Sequence, residues 1–113
     1  LSVTAFSPIV NPMDCPWGQK AFRHYLGNDQ TTWQDYDSCY LMEHAKTHIP
    51  MLVDQGSGDA FLQEQLKTQK LIDVTEKSNY DATIRLQEGY DHSYYFIATF
   101  IEEHMEFHMS HLK

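Results

Sequence analysis

The sequence predicts an α/β fold in which parallel strands are flanked by helices. Three short segments of β-branched and apolar residues, at 3–6, 51–54 and 82–86, are typical of buried strands. A stretch of helical periodicity that starts at Phe61 and runs for about five turns lies between the second strand and the third. Strand, helix and strand make a βαβ unit, so we expect parallel strands joined by a right-handed crossover.

A long connection follows the first strand. It covers residues 7–18 and is interrupted by Pro8, Pro12, Pro16 and Gly18. A connection of this length without helix or strand is more often a functional surface than a random linker.

Two short helices are expected next. The first covers 18–26 and ends at Gly27. Asp37 or Ser38 caps the second, which runs to about His48 before Pro50 stops it.

The two longer helices each have an expected buried face. In the crossover helix this face is formed by Leu62, Leu66, Leu71 and Ile72. The last helix, about 93–112, is expected to bury a stripe formed by Ile97, Phe100, Ile101, Met105 and Leu112. The aromatic residues in the first turn of this helix are expected to be core and collar residues, where the helix meets the sheet. They are Tyr94, Tyr95 and Phe96.

Composition limits the classes of protein that fit. With 113 residues, 42% of them hydrophobic, the chain is globular and makes one domain at most. Its net charge of -8 repels phosphate backbones and anionic lipid, so neither nucleic acid nor a membrane surface is an expected partner. No apolar run approaches a membrane span, and the N-terminus lacks the pattern of a signal peptide.

The chain opens inside a predicted strand, so we expect it to be a piece of a larger protein. Its two cysteines, Cys15 and Cys39, lack the spacing of metal ligands. Free thiols in a reducing, cytoplasmic compartment are the simplest interpretation, although a pairing between them stays open.

Two polar loops follow the second and third strands. Asp59 closes the Asp54–Asp59 loop, and His92 lies between the third strand and the last helix. Because loops at the carboxyl ends of parallel strands converge on one crevice, this acid and this histidine predict two members of a hydrolase triad. Asp54 and Asp91 are rival acids, and a plain backbone hydrogen bond at a helix N-terminus is the alternative role for His92.

No nucleophile is evident. The Gly-x-Ser-x-Gly elbow of α/β hydrolases is absent, and Ser57 in Gly56-Ser57-Gly58 is better explained as a turn residue. Both cysteines are better explained as ordinary thiols than as nucleophiles.

Trp17, between Pro16 and Gly18, is either a wall of a substrate pocket or a packing residue. Three histidines share one helix face near the C-terminus, and they are His104, His108 and His111. A solvated face that complements the helix dipole explains them better than a metal site, so no metal and no cofactor is expected.

These residues together resemble the S-formylglutathione hydrolase family, also called esterase D. The resemblance extends over nearly the whole chain and is weakest at about 63–83. The matching stretches are Ser2-Val3-Thr4-Ala5-Phe6-Ser7-Pro8-Ile9, Asn11-Pro12, Cys15-Pro16-Trp17-Gly18, Lys20-Ala21-Phe22, Tyr25-Leu26-Gly27, Asp54-Gln55-Gly56 with Asp59, Phe61-Leu62, and Tyr90-Asp91-His92-Ser93-Tyr94-Tyr95-Phe96-Ile97.

The resemblance implies the C-terminal part of a single α/β-hydrolase domain over residues 1–113, without the part that carries the serine elbow and the oxyanion hole. It implies a metal-free serine thioesterase that cleaves S-formylglutathione to glutathione and formate and is usually dimeric. Asp59 then looks like the triad acid, His92 like the base, and Trp17 lies near the acyl pocket. Alternatives are a general carboxylesterase for small acyl esters and a non-catalytic interaction module.

Overall fold

The computed structural model describes residues 1–112, and the chain forms two compact units. The first unit combines Leu1–Pro8, Thr47–Ala60 and the segment from Asp81 onward. The second combines Ile9–Lys46 and Phe61–Tyr80. Each unit is therefore assembled from segments that are distant in sequence.

The first unit contains the sheet. Strands β1 (Val3–Phe6), β2 (Met51–Gly56) and β3 (Ala82–Gln87) pair in parallel in that order, which confirms the predicted parallel sheet. β2 is central, and its Leu52 and Val53 are almost fully buried. β2 also continues two residues beyond the predicted strand end, so its last residues stay bonded to β3.

Helix α5 (Tyr94–Ser110) packs on this sheet through aromatic and imidazole rings. Ser93 caps its N-terminus by accepting a hydrogen bond from the backbone of Phe96. The Phe6 ring of β1 meets Phe96 edge-on, with 5.7 Å between centroids, and stacks on His104 at 3.9 Å. Although α5 is the longest helix, no helix within residues 1–112 has both the length and the apolar character needed to span a membrane.

The predicted apolar stripe of α5 is wrong at three of its five positions, whereas Ile97 and Phe100 are partly buried. Its members Ile101, Met105 and Leu112 are 45, 56 and 77% exposed, and the two tyrosines that open the helix are also exposed. The fully buried positions are Phe96 and His104, eight residues apart on one face. The observed face differs from the predicted one because it includes a buried histidine, and a pattern of apolar residues does not select a histidine.

The second unit contains the other helices. Its α-helices are α1 (Pro16–Leu26), α2 (Gln30–Trp33), α3 (Ser38–His44) and α4 (Thr68–Ser78). Asp29 and Asp37 begin α2 and α3, each accepting a hydrogen bond from a backbone amide in the first turn. α3 ends at His44, about one turn earlier than predicted, because Ala45 is already extended.

The connection after β1 is more regular than predicted. A 3-10 turn covers Pro12–Asp14, and α1 already begins at Pro16, which suits a first helical turn because it lacks an amide hydrogen. Trp17 therefore lies on a helix and not in a loop.

The single five-turn crossover helix is also wrong. A π-helical turn at Leu62–Leu66 is separated from α4 by Lys67, whose φ of 57° is left-handed. That conformation interrupts a right-handed helix, so the crossover consists of two helical pieces. The expected apolar anchors are still present, since Leu66 and Leu71 are both 1% exposed.

Candidate active site

The turns that follow β2 and β3 are bonded to each other. The Ser57 amide donates to the Gln87 carbonyl at 3.0 Å, and the Gly58 amide donates to the Tyr90 carbonyl at 2.9 Å. In return, the Gly89 amide donates to the Ser57 hydroxyl at 2.9 Å. This agrees with the turn role predicted for Ser57. Because of these bonds, the residues just beyond the two turns have defined relative positions.

Those residues are Asp59 and His92, and the structure brings them together. Nδ1 of His92 lies 2.7 Å from Oδ2 of Asp59. The Asp59 side chain is fully buried, whereas the His92 side chain is 44% exposed. Since an ionised carboxylate only accepts, Nδ1–H is the donor, and the neutral ring then carries its basic lone pair on Nε2. Such a ring can take up a proton at Nε2.

Gln55 is the third member of this group, and sequence reasoning gave it no role. Its side chain is fully buried at the end of β2, where Nε2 lies 3.0 Å from Oδ2 of Asp59 and 3.1 Å from the Gly56 carbonyl oxygen. The sequence feature that could have pointed to Gln55 is a polar side chain near the end of a buried strand, just before the turn that carries Asp59.

The rival acid Asp54 belongs to a different cluster. Arg85 donates to it through Nε at 2.7 Å and Nη2 at 2.6 Å, and Gln87 and His104 donate through Nε2 at 2.9 and 2.7 Å. Asp54 thus receives hydrogen bonds from side chains of β3 and α5, and not from His92. Its carboxylate crosslinks three elements of the first unit.

The surroundings of Asp54 and Arg85 favour the ionised form of each side chain. Burial raises the pKa of Asp54, but hydrogen bonds from Arg85, Gln87 and His104, with the charge of Arg85, more than offset it and leave the pKa below its ordinary value. The hydrogen bond to Asp54 raises the pKa of Arg85, which also contacts Glu103 at 3.0 Å. Asp54 and Arg85 therefore form a stable ion pair.

The three C-terminal histidines have separate partners. His104 is 1% exposed, so the expected solvated face is wrong at this position, where the imidazole serves as a donor to Asp54. The ring nitrogens of His108 lie 2.7 Å from Ser2 Oγ and 3.1 Å from Thr4 Oγ1. His111 Nδ1 bonds a backbone carbonyl of its own helix. Residues 1–112 contain no group of three or more side chains arranged to hold a metal ion.

Trp17 lies in the second unit. Its ring centroid is 4.7 Å from that of Phe61, its amide donates to Gln65 Oε1 at 2.9 Å, and the residue is 44% exposed. Phe61 is 38% exposed, so both residues of this aromatic pair are partly exposed to solvent.

The two cysteines are free and buried. The Cys15 sulfur accepts from the Gly18 amide at 3.4 Å and so caps α1. Burial, with a smaller contribution from Asp37, raises the pKa of Cys39 to about 12. A thiol with that pKa is a poor nucleophile, which agrees with the ordinary role predicted for it.

The parallel sheet with packed helices is the architecture of α/β-hydrolase-type esterases. The chain belongs to the putative esterase family, whose model matches residues 1–107.

Individual relatives support this assignment. An S-formylglutathione hydrolase of Arabidopsis thaliana is 46% identical over 113 residues, covering 99% of this chain and 40% of the relative. The structure of an S-formylglutathione hydrolase from Agrobacterium tumefaciens superposes with a TM-score of 0.92 at 38% identity, covering 99% of this chain and 40% of that one. Esterase B from Lactobacillus rhamnosis, at 17% identity and TM-score 0.68 over 96% of this chain and 39% of its own, shares the fold. The chain thus spans about two-fifths of the length of these relatives.

Proposed function

We propose that this chain supplies the acid and the base of a serine esterase or thioesterase, with Asp59 and His92 in those roles. The observation that carries the proposal is the 2.7 Å contact between the buried Asp59 carboxylate and Nδ1 of the half-exposed His92 ring. A buried carboxylate fixes the tautomer of the imidazole and stabilises the imidazolium formed during proton transfer.

In the complete enzyme, Nε2 of His92 takes the proton of a serine hydroxyl while that oxygen attacks the acyl carbonyl. Collapse of the tetrahedral adduct breaks the bond to the leaving group, which receives the proton back from Nε2. Water then attacks the acyl-serine with the same proton transfers. The chain has no Gly-x-Ser-x-Gly segment, so the serine and the oxyanion donors come from elsewhere in the complete protein, and the isolated 113-residue chain is expected to be inactive.

The proposed substrate is S-formylglutathione, giving formate and glutathione. Two relatives at 46 and 38% identity carry the name S-formylglutathione hydrolase, which supports a thioester substrate over the alternative of small acyl esters. Trp17, with its exposed ring beside Phe61, remains the residue proposed to contact substrate. A cytoplasmic location and a homodimer of the complete protein also remain predictions.

The test uses the full-length protein and compares hydrolysis of S-formylglutathione with that of p-nitrophenyl acetate. We expect a preference for the thioester, inactivation by a serine-directed phosphonate, and loss of turnover in His92→Ala, on the order of 10³-fold or more, with an unchanged circular dichroism spectrum. His108→Ala is the matched histidine control and should retain activity. Most of the activity surviving in His92→Ala would refute the assignment, and a preference for the acetate ester would indicate a general carboxylesterase.

A further inference from the structure

We propose that Gln55 is a positioning residue for this reaction, holding the Asp59 carboxylate in the orientation that His92 requires. The inference rests on the proposed function for its catalytic meaning, but the contact itself is structural. Nε2 of Gln55 is 3.0 Å from Oδ2 of Asp59, the same oxygen that lies 2.7 Å from Nδ1 of His92. One carboxylate oxygen therefore joins the amide and the imidazole.

The chemistry of the two acceptors selects an amide at this position. Asp59 offers a carboxylate oxygen and Gly56 a carbonyl oxygen, and both can only accept. The amide group of glutamine has two N–H hydrogens, so it serves both acceptors at once. A glutamate would oppose a second negative charge to Asp59, and a methionine would fill the volume but donate nothing.

The hydrogen bond between Gln55 and Asp59 matters because it is buried. The side chains of Gln55 and Asp59 are both shielded from solvent. Water does not readily replace a donor in such a place, and a buried carboxylate that loses a donor turns toward other partners. Since a triad acid acts by orienting the imidazole, rotation of this carboxylate misaligns His92 without removing any substrate contact.

The first experiment is NMR of the full-length protein labelled with nitrogen-15 histidine. His92→Ala assigns the low-field Nδ1–H resonance of His92, and we expect this resonance to broaden or disappear in Gln55→Met. Gln69→Met is the matched control, because Gln69 donates to Asp73 at 2.9 Å with the same chemistry on the exposed side of α4. An unchanged resonance in Gln55→Met, with only a lowered melting temperature, would show that Gln55 is merely structural.

The second experiment is a double-mutant cycle in kinetics. Gln55→Met should lower kcat by ~10-fold or more while KM stays within about twofold, because orientation is lost and binding is not. In an Asp59→Asn background the same change should alter kcat by less than about twofold, since Gln55 acts through the carboxylate. Independent, multiplicative losses would overturn the proposal. An active Asp59→Asn enzyme would instead refute the triad assignment, while the NMR result still decides the positioning contact.

Discussion

Gly56 and Tyr90 are in direct backbone contact where the turns after β2 and β3 meet. A Cβ atom on Gly56 would lie 2.1 Å from the Tyr90 carbonyl oxygen and 2.6 Å from its carbonyl carbon. No side chain fits at that distance, so the absence of a Cβ allows the two turns to approach each other. His92 follows Tyr90 by two residues, and the contact therefore bears on the geometry of the candidate site.

Gly56→Ala should separate the two turns. Because the atom it meets is backbone and cannot rotate away, we expect a loss of about 1–3 kcal/mol in the free energy of unfolding. In the full-length protein kcat should fall as the distance from Asp59 to His92 grows. Gly27→Ala is a control without steric conflict, since nothing lies within 4 Å of its Cβ position, although its φ of 87° adds backbone strain. Equal activity in Gly56→Ala and the parent protein would contradict the role given to this contact.

The two aspartates that flank the turn after β2 should differ in the consequence of losing their charge. Asp59→Asn should lower kcat by roughly 10³-fold or more with a small change in stability, because the asparagine amide favours the wrong imidazole tautomer. Asp54→Asn should mainly destabilise the fold, because it breaks the pair with Arg85. Steady-state kinetics and urea unfolding of both variants measure this contrast, and a larger kinetic loss in Asp54→Asn would mean that the acid is misassigned.

The Asp54 cluster should make the fold sensitive to acid. The pKa of Asp54 is lowered from its ordinary value of 3.8 by Arg85, Gln87 and His104, against the opposing effect of burial. A lowered pKa in the folded state means that its stabilisation is complete above pH 3.8 and is lost as the pH falls through the folded value. Asp54→Asn should therefore cost about 3 kcal/mol near neutral pH and less in acid.

Urea unfolding midpoints across this pH range test the prediction. Asp14→Asn is the matched control, because Asp14 also has a lowered pKa, caused by its hydrogen bond to Lys70, but both side chains are more than half exposed. That surface pair should contribute less than about 1 kcal/mol. Parallel pH profiles for Asp54→Asn and the parent protein would contradict the burial argument.

The cysteines should be unreactive in the folded chain. With a pKa of about 12, Cys39 holds ~10³-fold less thiolate at pH 8 than a thiol of pKa 9. Cys15 is fully buried as well. Ellman's reagent should therefore label neither residue under native conditions and both in guanidinium chloride, and rapid native labelling of Cys39 would contradict its burial.

Three strands, their parallel direction and the segments that carry Asp59 and His92 could all be predicted from the sequence, whereas the order of the strands in the sheet could not. These features depend on local periodicity and on the rule that loops converge at the carboxyl ends of parallel strands. The sequence did not predict the break at Lys67, because an isolated left-handed residue leaves no mark on the hydrophobic pattern.

The partner of each carboxylate, in contrast, follows from the three-dimensional packing. Side chains alternate along a strand, so Asp54 faces its register neighbour Arg85, while the next residue, Gln55, meets Asp59 beyond the turn. The assignment of partners to Asp54 and Asp59 depends on where the chain turns after β2. It also depends on which face of α5 carries His104 toward the sheet. Both are set by packing between segments that are distant in sequence, and the local sequence pattern does not encode that packing.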